Sequence, residues 1–73
     1  MNPNLSTIGK RLRHRMIDLD MNARELGKLT GYAPSTIGRW ISDECIPTLL
    51  AARQLSRHLQ ISMEWITDGE ASA

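Results

Sequence analysis

Seventy-three residues suffice for one small domain and are too few for two. At this size folding hides only about 60% of the chain's surface, so an enclosed catalytic pocket is not expected. Hydrophobic residues at 41% and charged residues at 23% lie in the globular range, away from disorder.

The longest internal stretches free of Lys, Arg, Asp and Glu, residues 29–38 and 45–52, fall far short of a membrane span. The first nine residues carry no Lys or Arg and lead into no apolar run, so no secretory signal is expected and a cytoplasmic setting follows. The single cysteine, Cys45, excludes an internal disulfide. His14 and His58 lack a second ligand at metal spacing and lack nucleophile or carboxylate partners, so no metal, cofactor or catalytic constellation is expected.

Net charge is only +1, but it is unevenly placed. Residues 1–42 carry seven basic against three acidic side chains, a net +4, and residues 43–73 carry two against five, a net −3. A basic half on a small body is the electrostatic footprint of phosphate binding.

In chain order, Ser6 and Thr7 are N-cap residues for a first helix, with Ile8, Leu12, Met16 and Leu19 on its inward face. Asn22 with Glu25 three residues on forms a capping box for a short second helix, which places Leu26 and Leu29 inward and ends near Thr30. Gly31 supplies a left-handed position after that helix. Pro34 opens the third, whose inward residues are Ile37, Trp40 and Ile41. After an aperiodic stretch, residues 42–46, Pro47 and Thr48 open a fourth helix with an expected inward stripe of Leu49, Ala52, Leu55 and Leu59. Ser62 caps a last short helix carrying Trp65 and Ile66, which Gly69 stops. Strand alternation and hairpin signals are absent. The expectation is one all-α domain of five helices with frayed ends at 1–5 and 70–73.

Segment 23–42 has the grammar of two helices set at about 90–120° by a tight turn containing glycine. Leu26 packs on Ile37 and Trp40, Gly27 lets the helices approach, Gly31 makes the turn and Tyr32 closes the corner. Gly27→Ala is expected to be tolerated or slightly stabilising, because a glycine inside a helix costs about 0.5–1 kcal/mol relative to alanine.

The residues Ile8-Gly9-Lys10-Arg11-Leu12, Arg24-Glu25-Leu26-Gly27, Gly31 and Ser35-Thr36-Ile37-Gly38-Arg39-Trp40 stand in a recognisable register. It continues through Pro47, Leu55, Leu59, Ile61-Ser62 and the ending Glu64-Trp65-Ile66-Thr67-Asp68-Gly69-Glu70. In this the chain resembles the lambda repressor and Cro-type helix-turn-helix regulators, the Xre family, over nearly its whole length. The resemblance implies a five-helix lambda-repressor-like domain that binds double-stranded operator DNA, commonly as a homodimer on a palindrome, and regulates transcription. Relatives often continue past a Gly-Glu ending into a linker and a further domain.

A helix in the major groove meets base edges with the outward side chains near its N-terminus. Pro34, Ser35, Gly38, Arg39 and Ser42 are therefore the candidate base contacts, with Arg39, whose fork suits guanine O6 and N7, foremost. Asn22, at the start of the second helix, and Thr36 are candidate phosphate contacts, as are Lys10, Arg13, Arg15 and Arg24. Met63, Trp65 and Ile66 are the candidate dimer contact. Asp43 and Glu44 should keep their loop off the phosphates.

The chain departs from the family pattern in carrying Ala23, Pro34 and Ser35 where many members have glutamine or other polar residues, which shifts weight toward DNA shape. Met16 and Ile41 stand where members often carry a buried Arg–Glu pair, so the two are expected to touch. The alternative function is a protein-interaction module, such as a coactivator bridge or antitoxin component. The outward face of the third helix separates the two readings, since Arg39, Ser35 and Gly38 suit a groove better than a protein pocket. Neither an enzyme nor a small-molecule ligand is expected.

Overall fold

Apolar periodicity and capping give five helices in the computed structural model, which describes residues 6–68: α1 (Ile8–Asp18), α2 (Ala23–Thr30), α3 (Pro34–Ile41), α4 (Leu49–Leu59) and α5 (Met63–Asp68). The ends expected to fray, and the stop at Gly69, lie outside the described residues.

Each expected cap forms. The Thr7 side chain accepts from the Lys10 N–H and Thr48 from the Ala51 N–H. Ser62 Oγ accepts from the Trp65 N–H at 3.0 Å. At α2 both arms of the capping box close: Asn22 Oδ1 accepts from the Glu25 N–H at 2.8 Å, and Glu25 Oε1 accepts from the Asn22 N–H at 3.2 Å. Pro34 occupies the first turn of α3, where its missing N–H costs no helical bond.

The core is assembled from every helix. Leu12 and Met16 of α1 meet Leu26 of α2 and Ile37 and Trp40 of α3; Ala51, Leu55 and Leu59 of α4 and Ile66 of α5 complete it. Ile8, Leu19, Ile41 and Trp65 are partly buried against that cluster. Packing runs α1 on α3 and α5, α2 on α3 and α4, and α4 on α5.

Two apolar expectations are corrected. Leu49 is 71% exposed, and Ala51 joins Ala52, Leu55 and Leu59 inside instead. Three residues turn a helix by only about 300°, so the successive three-residue steps from Leu49 to Leu55 walk round the cylinder by about 60° each. Leu29 is likewise 50% exposed, leaving Leu26 as the buried leucine of α2.

The turn into α3 forms as its residues require. Gly31 caps α2 with φ 87°, a left-handed value that a side chain disfavours. The Tyr32 ring meets Trp40 edge-on with centroids 5.1 Å apart, closing the corner. The glycine of α2 is tighter than its sequence suggests: a Cβ on Gly27 would stand 2.7 Å from the Tyr32 carbonyl oxygen. The geometry runs against the expectation that alanine is tolerated there, because the obstacle is backbone.

Candidate nucleic-acid interface

The surface that could meet DNA is organised by α3. Ile37 and Trp40 anchor one side of this eight-residue helix in the core, so at about 100° per residue Ser35, Gly38, Arg39 and Ser42 fall on the opposite side. Pro34, Ser35 and Arg39 are exposed, and Gly38 is half-buried with open space where a side chain would be. Arg39 makes no side-chain hydrogen bond or ion pair to another described residue, so its fork is available. Ser42 is less available: its hydroxyl donates to Glu44 Oε2 at 2.8 Å, with the Arg39 carbonyl at 3.3 Å as the other acceptor.

The far end of α3 is pinned to the start of α1. Asp43 adopts φ 64° and turns its carboxylate back, so that Oδ1 accepts from the Gly9 N–H at 3.0 Å and Oδ2 from the Thr7 hydroxyl at 2.8 Å. A carboxylate on free N–H groups at a helix N-terminus is favourable by hydrogen bonding and by the helix dipole. The exposed acid thus has an internal task, tying the end of α3 to the start of α1. The approach is close enough that a Cβ on Gly9 would lie 2.5 Å from the Ile41 carbonyl and 2.7 Å from Asp43 Oδ1.

The candidate phosphate contacts fall into two groups. Lys10, Arg13, Asn22 and Arg24 are exposed, and Thr36 is half-buried. Asn22 and Glu25 occupy each other's backbone donors, but the N–H groups of Ala23 and Arg24 in the first turn have no hydrogen-bond partner among the described residues. That is the end of α2 where an anion is favoured. Arg15 belongs to the second group, because its Nε donates to the Leu59 carbonyl at 2.8 Å, capping the C-terminus of α4.

Arg11, to which the sequence assigns no role, is only 5% exposed. Its Nε donates to the Ile66 carbonyl at 2.9 Å and its Nη2 to the Thr67 carbonyl at 3.1 Å, so it holds the C-terminus of α5. Arg11 and Arg15, one turn apart on α1, therefore tie down the C-termini of α5 and α4 through their last carbonyls.

Of the candidate dimer contacts, Met63 and Trp65 are half-buried, whereas Ile66 is 1% exposed and belongs to the core. Ile66 is thereby removed as a contact: α5 is amphipathic and this is its inward residue. Cys45 is exposed. His14 does have a carboxylate partner, contrary to expectation, in Asp18 one turn on at 3.7 Å, and the pair lies on the surface. Among the described residues there is no metal-binding cluster of His, Cys, Asp and Glu, and no helix is long and apolar enough to cross a membrane.

Residues 12–66 match the helix-turn-helix family. The chain is 26% identical over 68 residues to the repressor protein CI of Enterobacteria phage phi80, covering 93% of this chain and 28% of that protein. It therefore spans just over a quarter of the length of that relative. Among solved structures, the P22 c2 repressor protein in complex with a synthetic operator superimposes with a TM-score of 0.84 at 30% identity, covering 88% of this chain and 97% of that one. The solution structure of the P22 c2 repressor DNA-binding domain gives 0.83, also at 30% identity, over 99% and 92%. The match over most of the chain and these likenesses establish that the chain belongs to the helix-turn-helix family and has the five-helix fold of a phage repressor DNA-binding domain.

Proposed function

We propose that the chain is a sequence-specific, double-stranded-DNA-binding domain of a transcriptional regulator of phage-repressor or Cro type, with no enzymatic activity. One observation carries the reading: α3 buries Ile37 and Trp40 and turns an exposed Pro34, Ser35 and Arg39 outward, a face of the size and polarity of a major-groove reader. The bound P22 c2 relative, which matches over nearly its whole length, supports it.

Arg39 reads guanine through its forked donors, Ser35 and Pro34 contact neighbouring bases, and the bare backbone at Gly38 allows close approach. Ser42 contributes only when its hydroxyl leaves Glu44. Lys10, Arg13, Arg24, Thr36 and the Asn22 end of α2 meet phosphates, positioning the reader. Arg15 reaches a phosphate only through its terminal nitrogens, since its Nε is held by Leu59. Two protomers bind a palindrome with half-sites about 10 base pairs apart, touching through α5 by Met63 and Trp65. Such a domain works in the compartment that holds the DNA, here the cytoplasm.

Selecting bound sites from a random DNA pool tests the proposal. The expected result is a two-fold-symmetric site with a guanine in each half that becomes variable when Arg39→Ala is used. Recovery of no preferred sequence overturns the DNA reading. A preferred but asymmetric site bound by one protomer overturns the dimer.

A further inference from the structure

Five large apolar side chains among the described residues are at least half exposed, and they are not evenly scattered. The three most exposed, Ile46 at 76%, Leu49 at 71% and Leu50 at 70%, fall within five consecutive residues. Single exposed apolar side chains need no explanation, but a run of them on a small domain marks a contact surface.

The charges around that run are ordered. Leu49 and Leu50 begin α4, whose core side carries Ala51, Ala52, Leu55 and Leu59. At about 100° per residue, the opposite side of the helix carries Leu49, Leu50, Arg53 and Arg57. Both arginines are exposed, and neither side chain makes a hydrogen bond or ion pair with another described residue. In the loop before α4, Asp43 is taken up by Gly9 and Thr7, whereas Glu44 is exposed and accepts from the Ser42 hydroxyl. Chain order therefore sets an acidic end, Glu44, before an apolar middle, Ile46, Leu49 and Leu50, and a basic end, Arg53 and Arg57.

A surface of that order fits its own copy turned end for end. About a two-fold axis through the leucines the apolar middles pack together, and each Glu44 meets the partner's Arg53. Other partners match it less well. An anionic membrane suits the leucines and arginines but repels Glu44, and a nucleic acid offers phosphates to the arginines and little to three aliphatic side chains. We propose that the outward face of α4, with Ile46 and Glu44, is a self-docking surface through which two copies of this chain pair in the absence of DNA. The contact is separate from the one proposed through α5 and from the α3 face proposed to meet DNA, and it depends on neither. Three large side chains from each copy make a small, transient interface, so the pair dissociates with a Kd on the order of 100 µM.

Sedimentation equilibrium of the whole chain tests this, without DNA and with a reductant so that the exposed Cys45 cannot cross-link copies. Over about 10 µM to 1 mM the parent is expected to pass from monomer to dimer. Leu50→Glu should weaken pairing by about tenfold or more, whereas Met63→Glu on α5 should leave it within about threefold of the parent. Leu50→Glu should melt no lower than the parent, because a carboxylate in the first turn of a helix suits its dipole, which separates lost pairing from misfolding. Glu44→Arg and Arg53→Glu should each weaken pairing several-fold by setting like charges together, and the double variant should recover it with the signs exchanged. A parent that stays monomeric, or a dimer that Leu50→Glu leaves intact, overturns the self-docking face. A monomeric parent that binds vesicles of anionic phospholipid through Leu50 overturns it in favour of a membrane contact. No recovery in the double variant overturns the two-fold pairing of Glu44 with Arg53.

Discussion

Replacing Gly27 by alanine sets two effects of known sign against each other. Alanine in a helix interior is worth about 1 kcal/mol over glycine. Against it, the new methyl would lie 2.7 Å from the Tyr32 carbonyl oxygen, a separation at which an atom must move. That oxygen has little freedom to retreat, because Tyr32 is held on three sides: by the left-handed Gly31 before it, by its N–H donating to Thr30 Oγ1 at 3.3 Å, and by its ring against Trp40. Overpacking costs about 1–3 kcal/mol, and an obstacle of constrained backbone puts this site in the upper part of that range, about 2–3 kcal/mol, so the net expectation is a loss of about 1–2 kcal/mol. For a domain of this size that lowers Tm by on the order of 5–15 °C. The same substitution at Gly38 supplies an internal control, since its Cβ enters open space and should raise Tm by several degrees. Thermal unfolding by circular dichroism of both variants measures the contrast. A Gly27→Ala protein as stable as the parent would refute the reasoning, showing that the turn yields at no cost.

Arg39→Ala should cost about 1–3 kcal/mol in specific binding and relax one base position per half-site, whereas Arg13→Ala weakens all sequences alike; site selection with both variants distinguishes the roles. Asp43→Ala removes both acceptors from the start of α1 and places alanine at φ 64°, so urea unfolding should register a loss of about 1–3 kcal/mol. Ile41→Glu alone should cost about 1–3 kcal/mol, because Ile41 is partly buried against the cluster containing Met16, where a half-desolvated carboxylate has no partner. Adding Met16→Arg should recover part of that loss, and strict additivity in the double-mutant cycle would show that the two side chains do not meet.

The fold was legible where signals are local. The capping box at Asn22, the left-handed Gly31 and the Pro34 start are each stated within a few residues, and all three form. What escaped the sequence depends on contacts across the chain. Gly9 is required by carbonyls more than thirty positions away, Asp43 caps a helix to which it is not adjacent, and Arg11 serves carbonyls on α5. Arg11 did leave a trace, since it and Arg15 immediately precede Leu12 and Met16 and so flank the inward stripe of α1. A basic residue on the edge of an apolar face buries its stem and turns its head to the nearest acceptors. The candidate reading face was legible in outline because outward residues of an anchored helix follow from its period. The availability of each side chain was not, as Ser42 and Ile66 illustrate.

Those two arginines also reduce the charge that the basic half can offer to phosphates. Of the seven basic residues in the first 42, Arg11 is buried on α5 and the Nε of Arg15 is held by α4. With Arg39 assigned to a base, the exposed basic side chains left in that half are Lys10, Arg13, Arg24 and Lys28. Each neutralised phosphate releases counterions worth about −0.9 in the slope of log affinity against log salt. Two protomers should therefore show a slope of about −7, rising to no more than about −9 with Arg15 reaching a phosphate through its terminal nitrogens, where seven contacts each would give about −13. Fluorescence anisotropy of the operator complex over a range of salt concentrations measures this. A slope beyond about −10 would mean that Arg11 leaves its carbonyls when DNA binds, and that the C-terminus of α5 is released with it.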